Sequence, residues 1–145
     1  MEHGERLVNA STAVKIIAVV VILVVVVAGT FAGLTFPRAV ADFSVSFTDG
    51  VDIEQKEFEV PFLHDKVQVE VIVTNGSSLW RTVIKNDAVA QLWQYTETQG
   101  ANQTYHSDWI RLESGRYNFT FANLNSNSTS ALDASIKVIS KGGFW

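Results

Sequence analysis

The stretch Val67-Gln68-Val69-Glu70-Val71-Ile72-Val73-Thr74-Asn75-Gly76 reads as one strand and the turn that ends it. Valine recurs at every second position from 67 to 73, so in an extended chain four valines share one face. β-branched side chains suit a pleated surface, and Asn-Gly tolerates the left-handed backbone of a tight turn. The stretch predicts a sheet with one buried face.

The same period extends in both directions. Upstream, Phe43, Val45 and Phe47 alternate with Ser44, Ser46 and Thr48 before an Asp49-Gly50 turn, and Phe58, Val60 and Phe62 alternate with Glu57, Glu59 and Pro61. Pro61 cannot donate to a ladder, which points to an edge strand. Downstream, Trp80 to Ile84 is strand-like. Ala88 to Thr96 is read as a strand in preference to a short helix capped by Asn86 or Asp87, because the turn-forming segment Glu97 to Asn102 follows. Ile110 and Leu112 then lead through Ser114-Gly115 into Tyr117, Phe119 and Phe121. A polar loop from Asn123 to Ser130 precedes Leu132, Ala134, Ile136 and Val138. About seven or eight short strands of this kind predict a mainly β domain over 42–140, an antiparallel sandwich of jelly-roll or immunoglobulin-like type.

Before the strands lies a different pattern. Ile16 to Phe36 carries no charge, and as a helix these 21 residues would extend about 32 Å, the thickness of a hydrocarbon core. Lipid enforces the helix despite its many valines, because the backbone must satisfy its own hydrogen bonds there. Pro37 disfavours helical geometry at Phe36 and closes the span. The expected organisation is a cytoplasmic segment 1–15, a transmembrane helix 16–36, a linker 37–41, the sandwich 42–140 and a flexible aromatic tail 141–145. The small residues of Ala39-Val40-Ala41 resemble a signal-peptidase site, but the apolar run is longer than a usual signal core, so the helix is read as a retained anchor. Gly29 and Gly33 form a G-x-x-x-G pair, the candidate face for helix packing.

Arg6 and Lys15 before the span lean toward a cytoplasmic N-terminus. Asn-x-Ser/Thr acceptors at Asn75, Asn102, Asn118 and Asn127 lean toward an extracytoplasmic domain, with Asn9 expected to be unused. From Asp42 onward eight Lys and Arg face thirteen Asp and Glu, a balance of −5 with no basic stripe, which excludes nucleic acid as a partner. Cysteine is absent, so the domain has no disulfide or thiolate.

The segment Leu112-Glu113-Ser114-Gly115-Arg116-Tyr117-Asn118-Phe119-Thr120-Phe121-Ala122-Asn123, with Ile136-Lys137-Val138 after its loop, resembles the closing hairpin of GOLD-type β-sandwich domains. A similar Gly-x-Tyr-x-Phe-x-Phe-x-Asn core occurs in membrane-tethered sandwiches of archaeal surface proteins. The resemblance implies a lipid- or protein-binding sandwich. GOLD proteins of the secretory pathway place a coiled coil and membrane helix after the domain and usually carry a disulfide, so their cargo-receptor role does not transfer. An apolar helix before a β-domain also resembles archaeal pilins in outline, although Met1 to Ala13 lacks their leader.

Catalytic patterns are sparse. His3, His64 and His106 have no metal-ligand spacing, and neither G-x-S-x-G nor a phosphate loop occurs. His64-Asp65 and His106-Ser107-Asp108 read as surface loops. Asp49, Asp52 and Glu54 are close enough in sequence to gather around calcium, yet Asp49-Gly50 reads first as a turn. No enzymatic activity, cofactor or metal is expected. Trp80, Trp93, Tyr95 and Tyr105 default to core packing. Trp109, alternating away from Ile110 and Leu112, is the candidate exposed contact, and Phe144 and Trp145 are contact candidates for the bilayer, a neighbouring subunit or the chain's own sandwich. The function expected is a membrane-anchored, extracytoplasmic interaction module that binds protein, glycan or lipid. Its partners would be the bilayer and another membrane or surface protein, or a second copy. A filament or surface-lattice subunit is the second reading.

Overall fold

A computed structural model describes residues 2–48, 51–124, 131–143 and 145, with backbone alone for 2–10. The chain divides into an apolar helix and a β-domain that begins at Thr35. The helix, α1, runs Glu2–Thr35, and its segment Ser11–Thr35 is long and apolar enough to cross a membrane. Thr30, whose hydroxyl could compete with the helix, instead donates to the Val26 carbonyl one turn back at 2.8 Å.

The β-domain contains β1 (Arg38–Phe47), β2 (Asp52–Val60), β3 (Lys66–Asn75), β4 (Ser77–Asn86), β5 (Gln91–Gly100), β6 (Gln103–His106), β7 (Ile110–Arg111), β8 (Gly115–Asn123) and β9 (Leu132–Lys141). One sheet has the order β1-β9-β3-β6, with β7 also pairing β3, and the other the order β2-β8-β4-β5. All pairings are antiparallel. Consecutive strands mostly change sheets, and the result is a jelly roll.

Hydrophobic alternation places the core. Val67, Val69, Val71 and Val73 are fully buried, as are Ile136 and Val138 on β9. The facing sheet supplies Phe119, Phe121, Ile84 and Trp80. Phe47 and Phe121 stack across the interior at 6.0 Å with their planes 3° apart, and Phe58 stacks on Tyr117 at 5.6 Å. Side chains of this size, fully removed from water, each contribute about 1.5–3 kcal/mol.

Several boundaries differ from the sequence reading. The sandwich begins at Arg38, because Arg38 and Ala39 pair with Ser140 and Ile139 and so extend the first strand through the segment read as a linker. Tyr117–Phe121 and Ile136–Val138 form no hairpin of the GOLD kind, since β8 and β9 belong to different sheets. Two apolar faces can cover each other only if the chain crosses between sheets. The Asn75-Gly76 turn makes such a crossing, from β3 to β4. Gly76 has φ +84°, and a Cβ there would collide with the Ala131 carbonyl oxygen. β2 is an edge strand, but it ends at Val60, leaving Pro61 outside the ladder and Phe62 exposed. The tail folds back within the domain: the Gly142 amide donates to the Thr35 carbonyl at 2.9 Å, and the Trp145 indole to the Thr35 hydroxyl at 3.0 Å.

Candidate functional site: the open edge between the fifth and sixth strands

β5 and β6 are consecutive, yet they belong to opposite sheets, so the turn at Ala101-Asn102 carries the chain around the sandwich edge. The Asn102 amide donates to the Val73 carbonyl at 2.8 Å, fixing the turn to β3 with Asn102 itself at φ 63°. Small polar side chains tolerate this left-handed conformation better than most.

Along β5 the alternation changes character without changing period. Trp93, Tyr95, Glu97 and Gln99 pair opposite Ile84, Thr82, Trp80 and Ser78, so they share the inner face of their sheet. Two aromatics are followed there by an acid and an amide. Trp93, Tyr95 and Tyr105 form a column of near-parallel rings: Trp93 to Tyr95 at 6.3 Å and 8°, Tyr95 to Tyr105 at 4.2 Å and 14°. All three are half-buried, and the fully buried Trp80 meets Tyr105 edge-on at 5.6 Å. Among the described residues, Tyr95 is the only ring stacked on Trp93.

Beside the column lies an open pocket of about 410 Å³ lined by Glu97, Thr98, Gln99, Gln103, Thr104 and Tyr105. The Tyr95 hydroxyl donates to Glu97 at 2.6 Å, and that hydrogen bond, followed by burial, raises the Tyr95 pKa. Burial, with the neighbouring Tyr95, Asp108 and Glu97 adding, pushes the Tyr105 phenol up to about 12. Both phenols therefore stay protonated at neutral pH and act as hydrogen-bonding groups. Gln99 is 4% exposed and accepts from the Trp80 indole at 3.2 Å. An indole nitrogen only donates, so the amide oxygen must face Trp80, and the Gln99 Nε2 is left as a buried donor with no partner. An unmet buried donor costs about 1–3 kcal/mol.

The sequence-selected residues lie elsewhere. Trp109 is 38% exposed, with the Lys141 ammonium 3.9 Å over its ring, and Trp145 is 47% exposed with Phe36 packed edge-on at 5.4 Å. Asn75 is exposed and its amide donates to Asp133 at 3.3 Å; Asn102 is exposed at its turn. Asn118 is half-buried on the outer sheet face, between Glu57 and Lys85. Asn127, Phe144 and Asp49 lie outside the described residues, as does the side chain of Asn9. A Cβ at Gly29 or Gly33 would meet nothing within 4 Å.

Neither histidine segment is the plain surface loop that the sequence suggested. His64 is buried with its Nδ1 2.7 Å from the Ser140 hydroxyl. His106 ends β6 in place of sitting in a loop, 3.4 Å from Glu70, while Ser107 bonds the Val69 backbone in both directions. Asp52 and Glu54 are exposed on β2, and the described residues contain no group of three ligands placed for a metal.

No protein-family model matches the chain, and no curated protein sequence matches it. Solved structures with a similar fold include PirA, at 10% identity and TM-score 0.47 over 67% of this chain and 92% of that one. A CBM36-1 domain of a multidomain xylanase from the hindgut metagenome of Trinervitermes trinervoides is 11% identical, with TM-score 0.45 over 74% of this chain and 98% of that domain. Aeromonas hydrophila PliG, a periplasmic inhibitor of g-type lysozyme, is 15% identical, with TM-score 0.43 over 71% and 87%. The likeness is one of fold.

Proposed function

We propose that this chain is a non-enzymatic binding module, held at a membrane by α1 with its jelly roll outside the cytoplasm, and that the β5–β6 edge takes sugar units of a glycan. The observation that carries the reading is the ring column beside a polar pocket. Trp93 offers a flat apolar platform at the end of the column, while Glu97 supplies an acceptor and the exposed Gln103 amide a donor for hydroxyl groups. Sugar rings present this combination, with C–H faces for stacking and hydroxyls around the rim. A protein ligand would more commonly be met by a broad face of about 800 Å² than by an edge pocket.

The anchor is supported by the length and apolarity of Ser11–Thr35. The orientation is supported by Arg6 and Lys15 before the span and by exposed acceptors Asn75 and Asn102 beyond it.

Screening the full detergent-solubilised chain on a glycan array tests the ligand class, followed by titration of any hit against Trp93→Ala and Gln103→Leu. Retention of a glycan family with a loss of about tenfold in Trp93→Ala supports the reading. An array without hits, or a hit indifferent to both substitutions, rejects it. Glycosidase-sensitive mass on the native protein would place the domain outside the cytoplasm.

A further inference from the structure

Three cations stand side by side at one end of the jelly roll. Lys66 pairs in register with Lys141 on one side and with Arg111 on the other, across β9, β3 and β7. Like charges facing each other across strands repel, and such a row is normally broken by carboxylates. Among the described residues none of the three forms an ion pair, although Asp65 is adjacent in sequence and exposed. Large exposed apolar side chains stand on the row or close to it along the chain: Trp109 beneath the Lys141 ammonium, Trp145 bonded through its backbone to Gly142, and Phe62 at 76% exposure in the loop before β3.

Thr35 fixes which end of the domain this is. It accepts from the Gly142 amide and the Trp145 indole, directly beside Lys141, and it is also where the apolar segment Ser11–Thr35 stops. Covalent continuity alone keeps this end next to the end of the span.

We infer that the end of the jelly roll bearing Lys66, Arg111 and Lys141, with Trp109, Trp145 and Phe62, docks on a bilayer surface of anionic phospholipid. Tryptophan with lysine or arginine is the side-chain combination that settles at headgroup depth, and the cations supply the charge complementary to the lipid. Docking would hold the domain against the membrane instead of leaving it to swing on its tether. The inference rests on α1 being a retained anchor.

The test uses the full chain reconstituted in vesicles with brominated acyl chains at constant bromine content, with phosphatidylcholine alone or with phosphatidylglycerol added. Tryptophan fluorescence is expected to be roughly twofold more quenched with phosphatidylglycerol. The increment should vanish in Trp109→Phe/Trp145→Phe and in Lys66→Gln/Arg111→Gln/Lys141→Gln, whose thermal unfolding checks that the fold is kept. Equal quenching in both lipids, or an increment that survives in both variants, overturns docking. Alkaline carbonate extraction separates the two readings: a chain released from the vesicles overturns anchor and docking together, whereas a retained chain without the increment overturns docking alone.

Discussion

The β3–β9 pair and the β5–β6 edge are built on the same alternation by two, and they end in opposite environments. Val67, Val69, Val71 and Val73 lie against Ile136 and Val138 with no exposed surface, while Trp93, Tyr95 and Tyr105 remain half-buried beside a polar pocket. The difference is one of position in the sheet. β3 and β9 have neighbours on both sides, whereas β5 and β6 each close a sheet and cover one another only through their side chains. Stability is expected to reside in the first region and recognition in the second.

Truncation at each region gives the largest test of that division. Ile136→Ala should cost about 2–5 kcal/mol, since the fully buried methyls leave a cavity that a doubly paired strand cannot collapse into. Trp93→Ala removes a larger side chain yet should cost less, about 1–2 kcal/mol, because its site is partly open to solvent. Denaturant unfolding of both in detergent decides it. If Trp93→Ala proves as costly as Ile136→Ala, the ring column is core and the division fails.

The turns that carry the chain between sheets sharpen the same contrast on a smaller scale. Gly76→Ala, at the exit from β3, should cost about 1–3 kcal/mol, since it adds left-handed strain to a collision with the Ala131 backbone. Asn102→Gly at the edge turn should change stability by less than about 1 kcal/mol in either direction, as glycine adopts φ 63° without strain but adds freedom to the unfolded chain. Comparable losses at the two positions in thermal melts would show that the edge is held as firmly as the centre.

The two regions also differed in how far the sequence reveals them. In β3 and β9 every second residue is apolar, so strand, face and burial follow together. Sheet membership does not follow from alternation, which is why β8 and β9 read as a hairpin although they lie in opposite sheets. At the edge the signal was present but ambiguous. Trp93 and Tyr95 read as core because aromatics usually are. What marks them apart is the continuation of their face into Glu97 and Gln99, two polar residues at inner positions that a closed core would exclude. Tyr105 joins them only through the fold, because nothing in sequence spacing announces that the chain changes sheets between Gly100 and Gln103. Trp109, selected by alternation, is exposed as its parity requires, but its partner Lys141 lies far along the chain.

The last predicted effect is a pH dependence centred on the edge. In the unfolded chain Tyr105 ionises near pH 10. In the folded chain burial holds its phenol neutral until about 12. Between these values the unfolded state has released a proton that the folded state retains, so the stability contributed below pH 10 falls away as pH rises toward 12. Tyr95, raised by its hydrogen bond to Glu97, and Tyr117, raised by burial, act in the same direction. Tyr105→Phe should therefore flatten the decline in melting temperature above pH 10 without abolishing it. Its absorbance titration should lose a component that ionises at about 12. A wild-type chain in which Tyr105 ionises near 10 would mean that water reaches the phenol freely, and that Tyr95 and Tyr105 stand apart in solution with the pocket wider than their 4.2 Å stacking allows.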